Sequence, residues 1–367
     1  AMSKSMKIAL PIVVVLTAFS FYVFQILSGA GAFTELPENM DANCTIIEAV
    51  PGPEDILVDT ERGIAYVSAY DRRKVGAGGP GSDAIRGGIY AIDLTKPRAE
   101  WRLSDVTPQS PADFRPHGIG FYVGPDGRRT LIAASHPSDG RQLIEVFDVS
   151  SDGMLAHRTT VEDPLIRSPN DLVPVSHDAF YVGNDYGMDG ELMRQLEAFA
   201  SLDATDLIYW DGEKAVVADD GLTMANGVNV SADGKTLYVA ETQDHMLRMY
   251  DRNIETGVLT LREKVELGTA VDNIDVREDG ALLIGAHIRI LDFLEHAGDV
   301  NVFAPSQVLL LVPGAEGTGG AAGTIYLNDG KELSASSVAA AYKDTMLVGA
   351  VFDPRILACD MPQSLPQ

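Results

Sequence analysis

The stretch ANGVNVSADGKTLYVAETQDHMLRMYDRNIETGVLTLREK, Ala225–Lys264, reads as one complete four-stranded unit. Val228 and Val230 alternate with polar neighbours, Asp233-Gly234 supplies a tight turn, and Leu237–Ala240 is a short buried strand. Met246–Tyr250 and Leu259–Arg262 give two further strands, joined by a turn at Thr256-Gly257. A unit of this kind is one blade of a β-propeller.

Relatives of its central part recur along the chain, at ERGIAYVSA (61–69), PDGRRTLIAAS (125–135), SHDAFYVGND (176–185), EDGALLIGAH (278–287) and YKDTMLVGAVF (342–352). With ADGKTLYVAE (232–241) that makes six copies, each read as the inner strand of a blade. Residues 45–360 shared among six blades give roughly 53 each, slightly above the ~40–50 of ordinary four-stranded blades, so some loops are long. The predicted fold is an all-β, six-bladed propeller spanning 40–362, preceded by an N-terminal segment, 1–34.

Upstream of the apolar runs stand Glu54-Asp55, Pro116-His117-Gly118, Asn170-Asp171, Asn226-Gly227, Asp272-Asn273 and Ser336-Ser337. Polar groups recurring at one register of rotationally related blades fall on one ring around the central channel. Read singly, each pair is an ordinary turn dipeptide; read together, they form a ring of carboxylate and amide oxygens with one imidazole. Oxygen donors suit a hard cation, and this many favour calcium over magnesium. Cysteine and paired-histidine spacings for zinc are missing from the sequence.

The formal net charge of −25 and pI near 4.5 argue against a nucleic-acid partner, which needs a basic face. Ile8–Leu27 is a nearly unbroken apolar run, preceded by Lys4 and Lys7 and followed by Glu35 and Glu38, as expected of a signal anchor that leaves the rest of the chain outside. Ala30-Gly31-Ala32 offers a small-residue cleavage site, so either a membrane-anchored or a secreted domain follows, extracellular or periplasmic. Cys44 and Cys359, just before the first strand and just after the last, are expected to pair as a disulfide in such an exported protein.

Tyr70–Gly88 is Gly-rich and aperiodic, and reads as a mobile loop rather than a phosphate cradle. Met188–Leu202 places Leu192, Met193, Leu196 and Phe199 on one helical face that would roof the site, rest on a membrane or pack on the propeller. Leu291–Phe303 is a second apolar insertion. His117, in the ring register, and His136, at the end of the second blade's apolar run, are candidates for taking a proton from water. No Ser sits in a GxSxG elbow.

With these residues in view the chain resembles the paraoxonase/arylesterase family, from the apolar run to Cys359. The matches are PHGI (116–119), SHP (135–137), PNDL (169–172), FYVGND (180–185), the 225–241 stretch, VDNIDV (271–276) and SVAAAY…LVGAVF (337–352). The resemblance implies a six-bladed propeller with two calcium ions in its channel and a retained N-terminal signal helix. It places Glu54, Asn170, Asn226, Asp272 and Asn273 as ligands of a catalytic calcium, and Asp55, Asp171 and the Ile119 carbonyl at a structural calcium. His117 and His136 resemble the family's histidine pair, with Glu54 or Asp272 as the rival base, and Cys44–Cys359 matches its disulfide.

Departures are Ala286, where the family often has a free Cys before the histidine, and Met224-Ala225, where it has an aromatic; the loops at 70–88 and 187–207 also diverge. The activity implied is hydrolysis of small hydrophobic lactones and aryl esters, with phosphotriesters as promiscuous substrates. A sugar-lactone hydrolase of the gluconolactonase kind and a non-enzymatic scaffold propeller are the alternatives. The histidine pair argues against the first and the oxygen-rich ring against the second.

Overall fold

A computed structural model describes residues 4–36, 40, 42–77, 81–314 and 319–362. Glu38 and residues 78–80 of the Gly-rich stretch lie outside the described residues. Six four-stranded antiparallel sheets are arranged as propeller blades. Blade 4, the unit quoted first, comprises Ala225–Val230, Thr236–Glu241, Met246–Arg252 and Leu259–Glu266, with Gly234 at φ 71° in its first turn.

Blades 1, 2, 3 and 5 begin at Pro53–Asp59, Pro116–Val123, Pro169–Pro174 and Ala270–Val276. Blade 6 runs from Ser336–Tyr342 through Thr345–Ala350 to Arg355–Asp360, and its fourth strand is the N-terminal Thr45–Glu48. Pairing the first strand of the domain with the last closes the ring. The Cys44–Cys359 disulfide, across 315 residues, locks that closure. Cys359 lies inside the last strand rather than after it.

The apolar runs read as inner strands are each the second strand of a blade, as Ile64–Ala69 and Thr236–Glu241 show. The axis is lined instead by the strands that carry the polar pairs. Second strands are apolar on both sides because each blade is covered by two neighbours. Six core layers lie between successive blades; Leu283, Val308, Met346 and Val348 fill the space between blades 5 and 6, and Tyr66, Phe114, Leu131 and Phe147 that between blades 1 and 2. Burying one such side chain is worth about 1.5–3 kcal/mol.

At two points where neighbouring axis strands converge, there is no room for a side chain. A Cβ on Gly118 would come within 2.5 Å of the Asp171 backbone, and one on Gly227 within 2.4 Å of the Asp272 carbonyl.

Among the described residues four α-helices decorate the strands: α1 (Lys4–Gly29), α2 (Arg72–Ala77), α3 (Glu191–Ala200) and α4 (Ile290–Gly298). Within α1, Leu10–Gly29 has a mean hydropathy of 2.2 and is wholly unburied. Its end is tied to α4 by the Ile290 N–H, which donates to the Ala30 carbonyl at 3.0 Å. Helices α2, α3 and α4 follow second strands whose ends pair with the beginnings of axis strands, at Pro53↔Ala69, Pro169↔Asn184 and Ala270↔His287. All three therefore emerge at the face where the polar pairs lie. The apolar face of α3 does not pack on the propeller: Leu192 is 69% and Phe199 58% exposed.

Candidate metal centre

Each axis strand breaks its ladder once, at equivalent places: between Pro53 and Asp55, Pro116 and Ile119, Pro169 and Leu172, Ala225 and Val228, Val271 and Ile274, and Ser336 and Val338. A bulge leaves residues unpaired and re-aims their side chains. Glu54, His117, Asn170, Asp171, Asn226, Asp272, Asn273 and Ser337 all occupy these breaks. The sequence pairs thus sit within the first strands, at their irregular positions, and not ahead of them.

Three amides there share one orientation. Asn170 donates Nδ2–H to Asp185 at 3.2 Å, Asn226 to the Thr242 hydroxyl at 3.1 Å, and Asn273 to Glu54 Oε1 at 2.9 Å. Their oxygens, with Glu54 Oε2, are buried and accept no hydrogen bond. An orphaned buried acceptor costs about 1–3 kcal/mol. Four in one place, with the nitrogens turned away, form a receptor for positive charge, and their chemistry fits a hard cation. His, Cys, Asp and Glu alone form no group of three fit for a metal among the described residues, because three of these four donors are amides.

The carboxyls behave accordingly. Burial, reinforced by Asp272 and Asp55 and opposed by Arg72, pushes Glu54 up to about 8. Burial likewise raises Asp55 to about 7 and Asp171 well above the usual carboxylate range. Asp55 accepts from the Ile56 and Ile119 N–H groups at 2.8 and 2.7 Å, and Asp171 from those of Leu172 and Val228, both at 2.7 Å. Each aspartate bridges to the next blade, which brings the Ile119 backbone beside Asp55.

The two histidines meet: His117 Nδ1 and His136 Nε2 are 3.0 Å apart. His136 Nδ1 lies 2.6 Å from Gln142 Oε1, an acceptor whose amide nitrogen is committed to the Gly140 carbonyl. His136 therefore donates from Nδ1 and accepts at Nε2, and His117 donates from Nδ1. That leaves a lone pair on His117 Nε2, 3.7 Å from Glu54 Oε1. Burial first, then the positive charge of Arg72, holds His117 well below the ordinary histidine range, and His136 is lowered to about 4. Both rings are neutral near pH 7.

Sequence reasoning assigned no role to four partners: Asp185, Thr242, Gln142 and His287, the last donating to Asp272 at 2.8 Å. Asp185 and His287 end second-strand motifs that were quoted, and that position is the signal. A cavity of about 780 Å³ lies elsewhere: it opens on the opposite face, from Asp55 and Asp171 down to Thr60, Asp279 and Lys343. It is the far half of the channel, distant from the histidines.

A six-bladed propeller with an oxygen-rich axial site and a neutral histidine pair at one mouth fits the class of ester and lactone hydrolases. Residues 45–361 match the arylesterase family, and the chain belongs to that family. It is 30% identical over 332 residues to serum paraoxonase/arylesterase 2 of Rattus norvegicus, covering 87% of this chain and 89% of that protein. Serum paraoxonase/arylesterase 1 of the same species is 29% identical over 350 residues, covering 90% and 92%. Among solved structures, a luciferin-regenerating enzyme superposes with a TM-score of 0.52 at 12% identity, covering 88% of this chain and 96% of that one. The PQQ-bound aldose sugar dehydrogenase of Streptomyces coelicolor does so at 0.51 and 12%, covering 88% and 99%. These structures share the fold alone.

Proposed function

We propose that the chain is a calcium-dependent lactonase and arylesterase, with phosphotriesters as promiscuous substrates. The observation that carries this reading is the set of four orphaned oxygens beside a histidine lone pair, in a member of the arylesterase family. Glu54, Asn170, Asn226, Asp272 and Asn273 would hold a catalytic calcium, and Asp55, Asp171 and the Ile119 carbonyl a structural one. When bound, the catalytic ion supplies Lewis-acid polarisation of the carbonyl or phosphoryl oxygen and stabilises charge growing there.

The chain's own residues do the rest. His117 Nε2 takes a proton from the attacking water, while its Nδ1–H stays anchored on His136. Gln142 fixes the tautomer of His136 and, through it, that of His117. Asp185 and Thr242 keep the Asn170 and Asn226 oxygens turned inward.

The apolar faces of α3 and α4, exposed at Leu192, Phe199 and Leu294 on the side of the mouth, favour small hydrophobic lactones and esters. With the unburied helix α1 and the disulfide, they support an exported domain held at a membrane surface. The test is hydrolysis of a panel of lactones, aryl esters and phosphotriesters with calcium and with chelator, alongside calorimetric counting of ions. Full activity in chelator, or activity confined to sugar lactones, would reject the reading.

A further inference from the structure

A cation at the axis would satisfy the orphaned oxygens, but it would leave one orphan unserved. Arg72 Nη2 is also buried without a hydrogen-bond partner, and it is a donor. It faces Glu54 Oε2 at 3.6 Å, beyond hydrogen-bond reach. The other orphan at these positions, His287 Nδ1, is a lone pair, because Nε2–H of that ring is spent on Asp272. Among these residues, Arg72 alone therefore calls for an anion rather than a cation.

The guanidinium is held in place. Its side chain is only 10% exposed, Nη1 donates to the Gly52 carbonyl at 3.1 Å, and its plane lies 4.2 Å over the Tyr70 ring. Its neighbour Arg73 clamps the same segment from the other side, donating to the His296 carbonyl at 3.0 Å and lying 4.8 Å over Phe352. The start of the Gly-rich stretch, expected to be mobile, is pinned between blades 1, 5 and 6. Glu54 and Asp272 bring two negative charges that one calcium ion would cancel, which would leave the Arg72 guanidinium facing a carboxylate already committed to the metal.

We propose that Arg72 is a second electrophile beside the metal: it receives the negatively charged oxygen created when an ester or lactone is hydrolysed and then holds the carboxylate product. This rests on the hydrolase reading above. In the reaction a water oxygen bonds the carbonyl carbon and loses a proton to His117, while the carbonyl π pair moves onto oxygen. That pair returns as the carbon–alkoxide bond breaks, the alkoxide takes the proton back from His117, and the acid ionises to a carboxylate by giving its proton to solvent. The substrate is neutral and the transition state and product are anionic. A fixed guanidinium thus acts on kcat and on product affinity more than on KM.

The test compares calcium-loaded wild type with Arg72→Met and Arg72→Gln. Loss of one oxyanion donor is expected to lower kcat for γ-butyrolactone and phenyl acetate by about 10²-fold, with KM little changed. Calorimetric affinity for 4-hydroxybutanoate should fall about 10- to 100-fold, as for a lost charge-assisted hydrogen bond. Calcium content should equal that of the wild type. Unchanged kcat and carboxylate affinity would overturn the proposal. So would calcium loss with activity restored by excess metal, since Arg72 would then only offset Glu54. A wild type that hydrolyses no ester would instead defeat the hydrolase reading, and the carboxylate titration would still decide whether Arg72 binds the anion. If the Met variant does not fold, the Gln variant carries both measurements.

Discussion

Asp272 accepts a hydrogen bond from His287 Nε2 at 2.8 Å, and both groups are buried. The imidazole hydrogen-bonds Asp272 and so orients it. Partners of this kind typically govern metal affinity by 10–100-fold. His287→Ala is therefore expected to weaken calcium binding by about that factor while leaving kcat near normal at saturating calcium. A kcat deficit that persists at any calcium concentration would give His287 a direct role instead.

Loss of a ligand and loss of the base should separate. Asn170→Ala or Asp272→Ala removes charge stabilisation common to all reactions, so every substrate should suffer. His117→Gln matters where attack by water is the difficult step, which general-base help eases by ~10²–10⁴-fold. Lactonase activity should fall far more than any phosphotriesterase activity. A uniform loss in His117→Gln at full calcium occupancy would contradict its assignment as the base.

Calcium and protons should compete at Glu54 and Asp55. Their folded values, about 8 and about 7, lie above their ordinary 4.5 and 3.8, so the folded metal-free protein holds more protons than the unfolded chain. Its stability is then fullest below the ordinary carboxylate values and declines as pH rises through about 7 to about 8. Bound calcium opposes the decline, adding about 2.7 kcal/mol at a hundredfold excess over its Kd. Melting curves at pH 5 and 8, with and without chelator, check this; a chelated protein more stable at pH 8 than at pH 5 would refute it.

The disulfide joins the closing strand to the ring. Cys44→Ser is expected to cost about 2–5 kcal/mol, read as a lower Tm, with activity unchanged at temperatures where the ring stays closed. An unchanged Tm would mean that the Thr45–Glu48 pairing suffices by itself.

Leu192→Asp with Phe199→Asp places charge on the exposed face of α3. In a chain lacking residues 1–29, the double variant should lose sedimentation with phosphatidylcholine vesicles that the parent shows. Failure of the parent to sediment would confine membrane attachment to α1.

The sequence alone determined the number of blades, the register of the polar pairs and the partnership of the two cysteines. Each is a periodic or pairwise property that survives projection onto a line, as the six copies of the Thr236–Glu241 motif show. It did not reveal that those copies are second strands, because a run covered on both faces looks equally buried wherever it stands in the blade. Nor could it show which atom of an amide faces the axis. Thr242, Asp185 and Glu54 decide that for Asn226, Asn170 and Asn273, two of them from just past the end of a second strand and one from another blade. The lone pair on His117 depends on Gln142, and the orphaned donor of Arg72 on Gly52 and Tyr70. Hydrogen-bond direction and burial are properties of three-dimensional neighbours, so the tertiary structure alone turned a ring of polar residues into oxygens aimed inward, a base with its lone pair open and a guanidinium N–H without an acceptor.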